Sequence, residues 1–215
     1  MPSLTVEGII LKRSNFGEAD RMLTILTKNL GKISVVARGV RKITSRRAGN
    51  VELLNLVKVG LFKGKGYTLT EAASLETFPR IKSNLAVSAG GFHILELANK
   101  FLPENDPNFR VYDLIVETLK TFESNPRQLI LRAFEIKFLS LLGFFSTRAI
   151  SGVEPGAKEL IELLNSQAIS EIELMEIESE KIVALEKVLR YYLEDVLESN
   201  LKSNSVMKGL KNGSR

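Results

Sequence analysis

A change in hydrophobic periodicity near residue 80 constrains the fold of this chain more than any other feature. Before that point, β-branched and apolar residues form short runs separated by Gly-containing turns, a pattern typical of strands. After "FPR" (78–80), apolar residues recur at helical spacing. The strand-like segments are "LTVEGIILK" (4–12), "RMLTILTK" (21–28), "KISVVARG" (32–39), "VELLNLVKVGLF" (51–62) and "YTLTEAASLE" (67–76). The sequence therefore predicts an α+β chain with its strands first and its helices second.

The connections between the five segments favour a small barrel. "NLGK" (29–32) and "KGKG" (63–66) have the length and the Gly content of hairpin turns. A long basic connection follows the third segment. Five short strands with this spacing favour an OB-fold barrel, with an SH3-like barrel as the alternative. We expect an N-terminal nucleic-acid-binding domain over residues 1–80 and a C-terminal α-helical bundle domain over 81–215.

Capping signals divide the second part of the chain into helices. Asp106 in "NDP" and Asn125 in "SNP" each precede a Pro, which favours an N-cap followed by Pro at the first helical position. "SEIE" (170–173) has the form of a capping box. The predicted helices cover 84–102, 107–123, 127–144 and 178–200. The third of them is apolar around most of its circumference, so we expect it at the centre of the bundle.

The composition excludes most catalytic and metal-binding chemistry. The chain has 215 residues, no Cys and a single His, so it cannot form a disulfide, a Cys–His dyad or a Cys-ligated zinc site. His93 lies between Phe92 and Ile94 in a predicted helix and is interpreted as structural. The acidic run "SEIELMEIESE" (170–180) is interpreted as a solvated helix face. We therefore predict no catalytic residue and no metal site.

The N-terminus and the apolar runs indicate the expected cellular location of the protein. "MPSLTVEGII" lacks the basic and apolar regions of a signal peptide. The apolar run "FLSLLGFFST" is far shorter than the ~20 residues that a membrane span requires. We expect a soluble cytoplasmic protein without a membrane partner.

Charge is distributed unevenly between the two parts of the chain. Residues 1–82 contain 15 Lys and Arg against 6 Asp and Glu, whereas residues 83–215 contain 15 against 19. The densest basic stretch is "VARGVRKITSRRAGN" (36–50), which contains no acidic residue. Its five cations are Arg38, Arg41, Lys42, Arg46 and Arg47. Because Arg pairs bidentately with phosphate, this connection predicts a binding site for a polyanion.

Further residues on the predicted barrel favour the same partner. The cations outside the loop are Lys12, Arg13, Arg21, Lys28, Lys32, Lys58, Lys63 and Lys65. Small barrels bind single strands by combining such charge with aromatic stacking. Phe16, Phe62 and Tyr67 are candidates for stacking, although core packing explains each of them equally well.

Four segments of the chain resemble the RecO family of bacterial recombination mediators. "FGEADRMLTILTKNLGKISVVARGVRKITSRRAG" (16–49) is similar to the N-terminal barrel of that family. "FHILELANKFLPENDPNFRVYDLIVETLKTF" (92–122) and "LRAFEIKFLSLLGF" (131–144) are similar to its helices. "LRYYLEDVLESNLKS" (189–203) resembles its closing helix. The similar segments occur in the family's order and cover most of the chain.

The resemblance implies a non-enzymatic protein of DNA repair and recombination. Such a protein binds single- and double-stranded DNA, anneals complementary strands and helps RecR load RecA onto DNA coated with single-strand-binding protein (SSB). It also implies nucleoid association and binding of the C-terminal tail of SSB by the helical domain. The predicted DNA-binding residues are the five cations of the loop (Arg38, Arg41, Lys42, Arg46 and Arg47) together with Lys12, Arg13 and Lys32.

The chain departs from many members of the family in one respect. Those members carry a zinc element with four Cys after the helix that corresponds to 131–144, whereas this chain has no Cys. We therefore expect no cofactor and no zinc.

Two alternatives follow from the residues alone. An RNA-binding barrel protein of translation or RNA maturation would need the same cations. A nucleic-acid enzyme would need carboxylates in the acidic half of the chain. Annealing of SSB-coated DNA distinguishes the first alternative, and Mg²⁺-dependent turnover would reveal the second.

Overall fold

Five strands close into a barrel at the N-terminus of the chain. The computed structural model describes residues 3–145 and 155–212, and the side chains of residues 3–145 and 156–198. The strands are β1 (Ser3–Phe16), β2 (Asp20–Thr27), β3 (Gly31–Ala37), β4 (Leu56–Lys63) and β5 (Tyr67–Glu76). They close in the order β1-β2-β3-β5-β4, and β3 pairs with β5 in parallel while the other pairs are antiparallel. This confirms the predicted OB-fold barrel.

Alternating residues of the strands fill the barrel. On β2, Leu23 and Ile25 are fully buried inside, whereas the adjacent residues Met22 and Thr24 are partly exposed. The other inward residues include Val6, Ile10, Ile33, Val35, Val57, Val59, Leu61 and Leu69. The register shifts between Ile10 and Lys12 on β1 and between Gly60 and Leu61 on β4, as β-bulges do where strands bend around a barrel.

The basic connection between β3 and β4 is longer than the sequence predicted. The fourth strand was expected to begin at residue 51, but β4 begins at Leu56, after a single 3₁₀ turn (Gly49–Val51). Val51 and Leu54 are completely buried, and Leu54 has a left-handed φ of 71°. Val51 packs into the barrel core and Leu54 lies beside Gly91 of a later helix, so neither residue extends a strand. A run of apolar residues does not distinguish such packing from a strand.

Seven helices are described after the barrel. They are α1 (Pro79–Ser83), α2 (Leu85–Phe101), α3 (Phe109–Ser124), α4 (Gln128–Leu141), α5 (Pro155–Ser166), α6 (Ile169–Ile172) and α7 (Ser179–Asn212). The strand-to-helix change lies at the residue where the sequence predicted a domain boundary. The compact units of the structure divide further along the chain, into Met1–Pro126 and Arg127–Arg215. Helices α1 to α3 therefore belong to the same compact unit as the barrel.

The N-cap predictions for two of these helices were wrong. Asn108, and not Asp106, caps α3, and its side chain accepts a hydrogen bond from Val111 N at 3.1 Å. The backbone before Asn108 bonds to the barrel instead of starting the helix, since Asn105 N donates to Lys32 O on β3 at 2.9 Å. The N-cap of α4 is Arg127 rather than Asn125.

The predicted capping box in "SEIE" is also displaced. Ser170 lies inside α6, and the N-cap of that helix is Ala168. Glu171 accepts a hydrogen bond from Ala168 N at 3.0 Å, which is half of a capping box. The alanine methyl group has no oxygen with which to return the second bond.

Helices α2 and α3 pack against the barrel within the first unit. The phenol of Tyr112 donates to the carboxylate of Glu7 on β1 at 3.0 Å, and burial raises the pKa of this phenol. Lys28 on β2 donates to Asp113 at 3.0 Å. Gly31 lies so close to the backbone of Asp106 that an added Cβ would be 2.4 Å from its carbonyl oxygen. The barrel thus depends on helices that follow it in the sequence.

The second unit is built around α4. Ten of its fourteen residues are buried, as expected for the central helix. Arg132 and Glu135 form a buried ion pair at 3.2 Å on this helix. The guanidinium of Arg127 donates to Glu173 O and Met175 O, each at 2.6 Å. Residues 146–154, which belong to the segment where the sequence led us to expect no zinc element, lie outside the described residues. Within the described helices, none combines the length and the hydropathy required for a membrane span.

Candidate nucleic-acid interface

The basic connection is a chain of tight turns rather than an extended loop. Lys42 N donates to Gly39 O at 3.2 Å, Ser45 N to Lys42 O at 2.9 Å and Asn50 N to Arg47 O at 3.1 Å. Gly39 has a φ of +65°, which glycine adopts without strain. Because each of these turns is closed by its own hydrogen bond, the backbone that carries the cations has a defined course. We call residues 38–50 the basic loop.

The basic loop is held at both ends by neighbouring elements of the barrel. Near its start, Gly39 N donates to the carboxylate of Asp20 at 2.7 Å, and Arg41 N donates to Ala19 O at 2.9 Å. Near its end, the side chain of Asn50 donates to Ala72 O on β5 at 3.0 Å. Val40 is buried in the barrel core between these contacts. The loop is therefore a fixed part of the barrel surface.

Arg47 has a structural role that the sequence did not reveal. Its Nη1 donates to Leu69 O at 3.0 Å and to Thr70 O at 3.2 Å, and its Nη2 donates to Arg38 O at 2.9 Å. Two of these bonds join the loop to β5, and the third joins the later part of the loop to its first residue. We interpret Arg47 as a residue that positions the loop.

The other four cations of the loop are exposed. They are Arg38, Arg41, Lys42 and Arg46. Arg41 also donates from Nη1 to Gly17 O in the β1–β2 turn at 3.2 Å, which orients its guanidinium. Four exposed cations on a rigid connection form the strongest candidate for phosphate binding in the part of the chain that the structure describes.

A buried amide supports the base of the loop. Asn55 is 1% exposed, and its side-chain nitrogen donates to Gly49 O at 3.1 Å and to Asn50 O at 2.9 Å. Its side-chain oxygen accepts a hydrogen bond from the ammonium of Lys82. Burial lowers the pKa of this ammonium, and the nearby carboxylate of Glu52 partly opposes that effect. The conformation of the loop is thus linked to α1 as well as to β5.

Arg13, one of the predicted DNA-binding residues, is engaged at one end of the barrel. It forms an ion pair with Glu52, and Arg21 on β2 contacts the same carboxylate at 3.3 Å. Lys12, the preceding residue, lies opposite Thr24 on the outer face of the barrel and is exposed. Successive side chains of a strand point to opposite faces, so these neighbouring residues point in different directions. The structure therefore brings neither of them into the basic loop.

Lys32, another predicted DNA-binding residue, is nearly buried. It is 9% exposed, and its ammonium donates to Asn99 O on α2 at 2.6 Å. Burial lowers the pKa of Lys32, and the carboxylate of Glu104 opposes this shift. The alternation of side chains along β3 points Lys32 outward, but the sequence did not indicate that α2 covers it.

We expect Lys32→Met to leave DNA affinity within about twofold of wild type, because the ammonium of Lys32 is nearly buried and already donates to Asn99 O, so it is not available to a phosphate. The same variant also tests how the buried ammonium of Lys32 affects the pH dependence of stability. The pKa of Lys32 is lower in the folded protein than its value of 10.5 in the unfolded chain. Between these two pKa values the unfolded chain binds more protons than the folded protein does. The free energy of unfolding therefore rises with pH over that range. Urea unfolding from neutral pH to 10.5 should show this rise in wild type and a smaller one in the variant. A large loss of DNA affinity would show that Lys32 contacts DNA.

A groove opens on the outer face of the barrel beside the basic loop. It has a volume of about 490 Å³ and is lined by Thr5, Arg46, Arg47, Lys58, Gly60, Thr70, Glu71, Ala72 and Ala73. We call it the β4–β5 groove after the strands that supply most of its residues. The sequence identified Lys58 as a barrel cation but gave no sign of a groove, because its small residues come from three separate strands.

The candidate stacking residues differ in exposure. Phe16, at the end of β1, is 50% exposed. Phe62 and Tyr67 are half-buried, and Tyr67 packs against the barrel core. The ammonium of Lys63 lies 5.7 Å from the centre of the Tyr67 ring. Phe16 is thus the most accessible of the three.

The parts of the chain described by the structure show no cluster of three or more His, Cys, Asp or Glu that could hold a metal ion. His93 lies half-buried in α2.

Two family models match most of this chain. The model described as "Recombination protein O N terminal" matches residues 1–78, and "Recombination protein O C terminal" matches residues 82–147. The two matches meet close to the change from strands to helices. They cover the barrel, the whole basic loop and helices α2 to α4.

Curated relatives carry the same description. A protein from Dehalococcoides mccartyi named "DNA repair protein RecO" is 37% identical over 140 residues, which is 64% of this chain and 55% of the relative. The protein of that name from Acetivibrio thermocellus is 36% identical over 147 residues, or 67% and 59%. That from Pelotomaculum thermopropionicum is 27% identical over 231 residues, or 92% and 90%. The alignments with the first two span little more than half of those relatives.

Proposed function

The chain belongs to the RecO family, and from this premise we propose that it is a DNA-binding mediator of recombination in DNA repair. In this proposal the barrel binds single- and double-stranded DNA and brings complementary strands together. The protein then assists RecR in loading RecA onto DNA coated with SSB. Its role is to bind and position, and not to catalyse a chemical step.

The observation that carries the proposal is the rigid, cationic loop. Arg38, Arg41, Lys42 and Arg46 project from a backbone held by Asp20, Ala19 and β5. A preorganised loop loses little conformational entropy when it binds, so its charge pairing is not offset by ordering. Three of these four cations are Arg, which forms bidentate bonds to phosphate.

The structure suggests a narrower contact set than the sequence did. We propose that the four exposed loop cations contact phosphates and that Arg47 positions them. Arg13 and Lys32 are left out because Glu52 and Asn99 O engage their side chains. Lys12 is exposed but lies on a different face, opposite Thr24. Contacts with RecR and the C-terminal tail of SSB rest on family membership alone.

Strand annealing tests the proposal. We expect the full-length protein to accelerate pairing of complementary DNA strands, with and without SSB, as measured by the fluorescence of a labelled pair. Four phosphate contacts should give a slope of log K against log salt of about −3 on single strands. Binding that does not respond to salt would contradict the proposal.

The same assay with matched RNA strands is the control for the alternative function. Preferential binding and annealing of RNA would favour an RNA-binding barrel protein. Mg²⁺-dependent cleavage of either strand would instead indicate a nuclease. Neither outcome is expected if the loop cations serve DNA annealing.

A further inference from the structure

The β4–β5 groove is electropositive and continuous with the basic loop. Arg46 and Arg47 belong to both, and Lys58 on β4 adds a third cation against the single carboxylate of Glu71. Lys58 is exposed and lies across the ladder from Glu7, whose carboxylate accepts the hydrogen bond of Tyr112. The lining thus has an excess of positive charge at the place where the loop meets the strands.

Small residues leave the groove open along β4 and β5. Gly60 pairs with Glu71, and Ala73 pairs with Lys58. Gly60, Ala72 and Ala73 carry at most a methyl group, and the other uncharged residues of the lining, two threonines, are short. The groove can therefore admit a sugar-phosphate backbone without displacing large side chains.

The other outer face of the barrel is less suited to a polyanion. OB-folds commonly bind nucleic acid on the face of β2 and β3. Here the outward residues of that face include Met22, Thr24, Ser34 and Val36, all uncharged. Lys32, which also points outward from β3, donates its hydrogen bond to Asn99 O instead.

We propose that a single DNA strand runs from the basic loop into the β4–β5 groove, with Arg46 and Lys58 pairing with its phosphates. Arg47 forms the wall between loop and groove, fixed by the carbonyls of Leu69 and Thr70. This inference rests on the proposed function and specifies the path of the strand. It places the strand on β1, β4 and β5 rather than on β2 and β3.

Two charge-matched double variants of the full-length protein test the path. K58E/A73E places two carboxylates at neighbouring exposed positions of the groove, whereas K12E/S34E makes the same change of charge on the β1–β2–β3 face. We expect the groove variant to lose about tenfold or more in single-strand affinity, and the other variant to lose less than about threefold. Equal losses, or a larger loss in K12E/S34E, would overturn the path.

Thermal melting of K58E/A73E and K12E/S34E shows whether they fold, and if K58E/A73E does not, the neutral variant Lys58→Gln still tests the path. Lys58→Gln removes one phosphate contact, so the slope of log K against log salt should become less steep by about 0.7. An unchanged slope would overturn the path.

Reversal of the loop cations, measured beside these variants, separates the proposed path from the proposed function. If that reversal abolishes binding while the groove variants bind normally, the path is wrong and the proposed function stands.

Discussion

Reversing the four exposed loop cations (Arg38, Arg41, Lys42 and Arg46) to Glu should lower single-strand affinity by about 100-fold or more at low salt, with the salt slope falling towards zero. The physical reason is that each cation neutralises a phosphate and releases a counterion. The fold should survive, because these side chains are exposed and contribute little to the core. Fluorescence anisotropy with a labelled oligonucleotide, across a salt series, measures the effect.

Arg47 must remain unchanged in that variant. Replacing it would remove three hydrogen bonds to backbone carbonyls and shift the loop itself. A matched control reverses four exposed cations elsewhere (Arg110, Lys120, Lys158 and Lys187), which changes the net charge by the same amount. If the control loses as much affinity as the loop variant, total charge rather than the loop determines binding.

Gly31→Ala should produce the largest loss of stability of any single change discussed for the barrel. Gly31 has a φ of +69°, and an added Cβ would lie within 2.7 Å of three backbone atoms of Asp106. Backbone strain and overpacking together cost about 2–5 kcal/mol. Urea unfolding monitored by circular dichroism would measure the loss.

Gly17→Ala is the matched control for this prediction. Gly17 has a φ of +61°, yet nothing lies within 4 Å of an added Cβ. It should lose only the strain component, about 1–2 kcal/mol. Equal losses in the two variants would mean that close packing of β3 against the segment before α3 contributes nothing.

The strands and helices of this chain were largely predictable because each repeats a local pattern. Buried and partly exposed residues alternate over residues 22–25 of β2, and the apolar circumference of α4 predicted its central place. The start of β4 was not predictable, because Val51 and Leu54 are as apolar as strand residues but pack into the barrel core and beside Gly91 of α2, respectively. The N-cap of α3 was missed for a related reason, since the bond between Asn105 and Lys32 is a tertiary contact.

The candidate site was predictable as a charge cluster but not as an arrangement. The sequence identified Arg47 and Lys32 as cations, yet could not show that carbonyl oxygens of β5 and α2 accept their hydrogen bonds. Which cations remain exposed depends on residues 22 to 67 positions away in the sequence. Local composition carries no information about such pairings.

The order in which the barrel closes has a consequence for folding. Hairpins β1–β2, β2–β3 and β4–β5 join neighbouring strands, whereas closure requires β1 to meet β4 and β3 to meet β5. Pairings between distant parts of a chain form slowly, because loop-closure entropy is lost before the contacts compensate for it. The basic loop gains its anchors on β5, through Arg47 and Asn50, only when that closure is complete. A newly made chain therefore carries its positive charge from the start but acquires an ordered binding surface in a late step of folding.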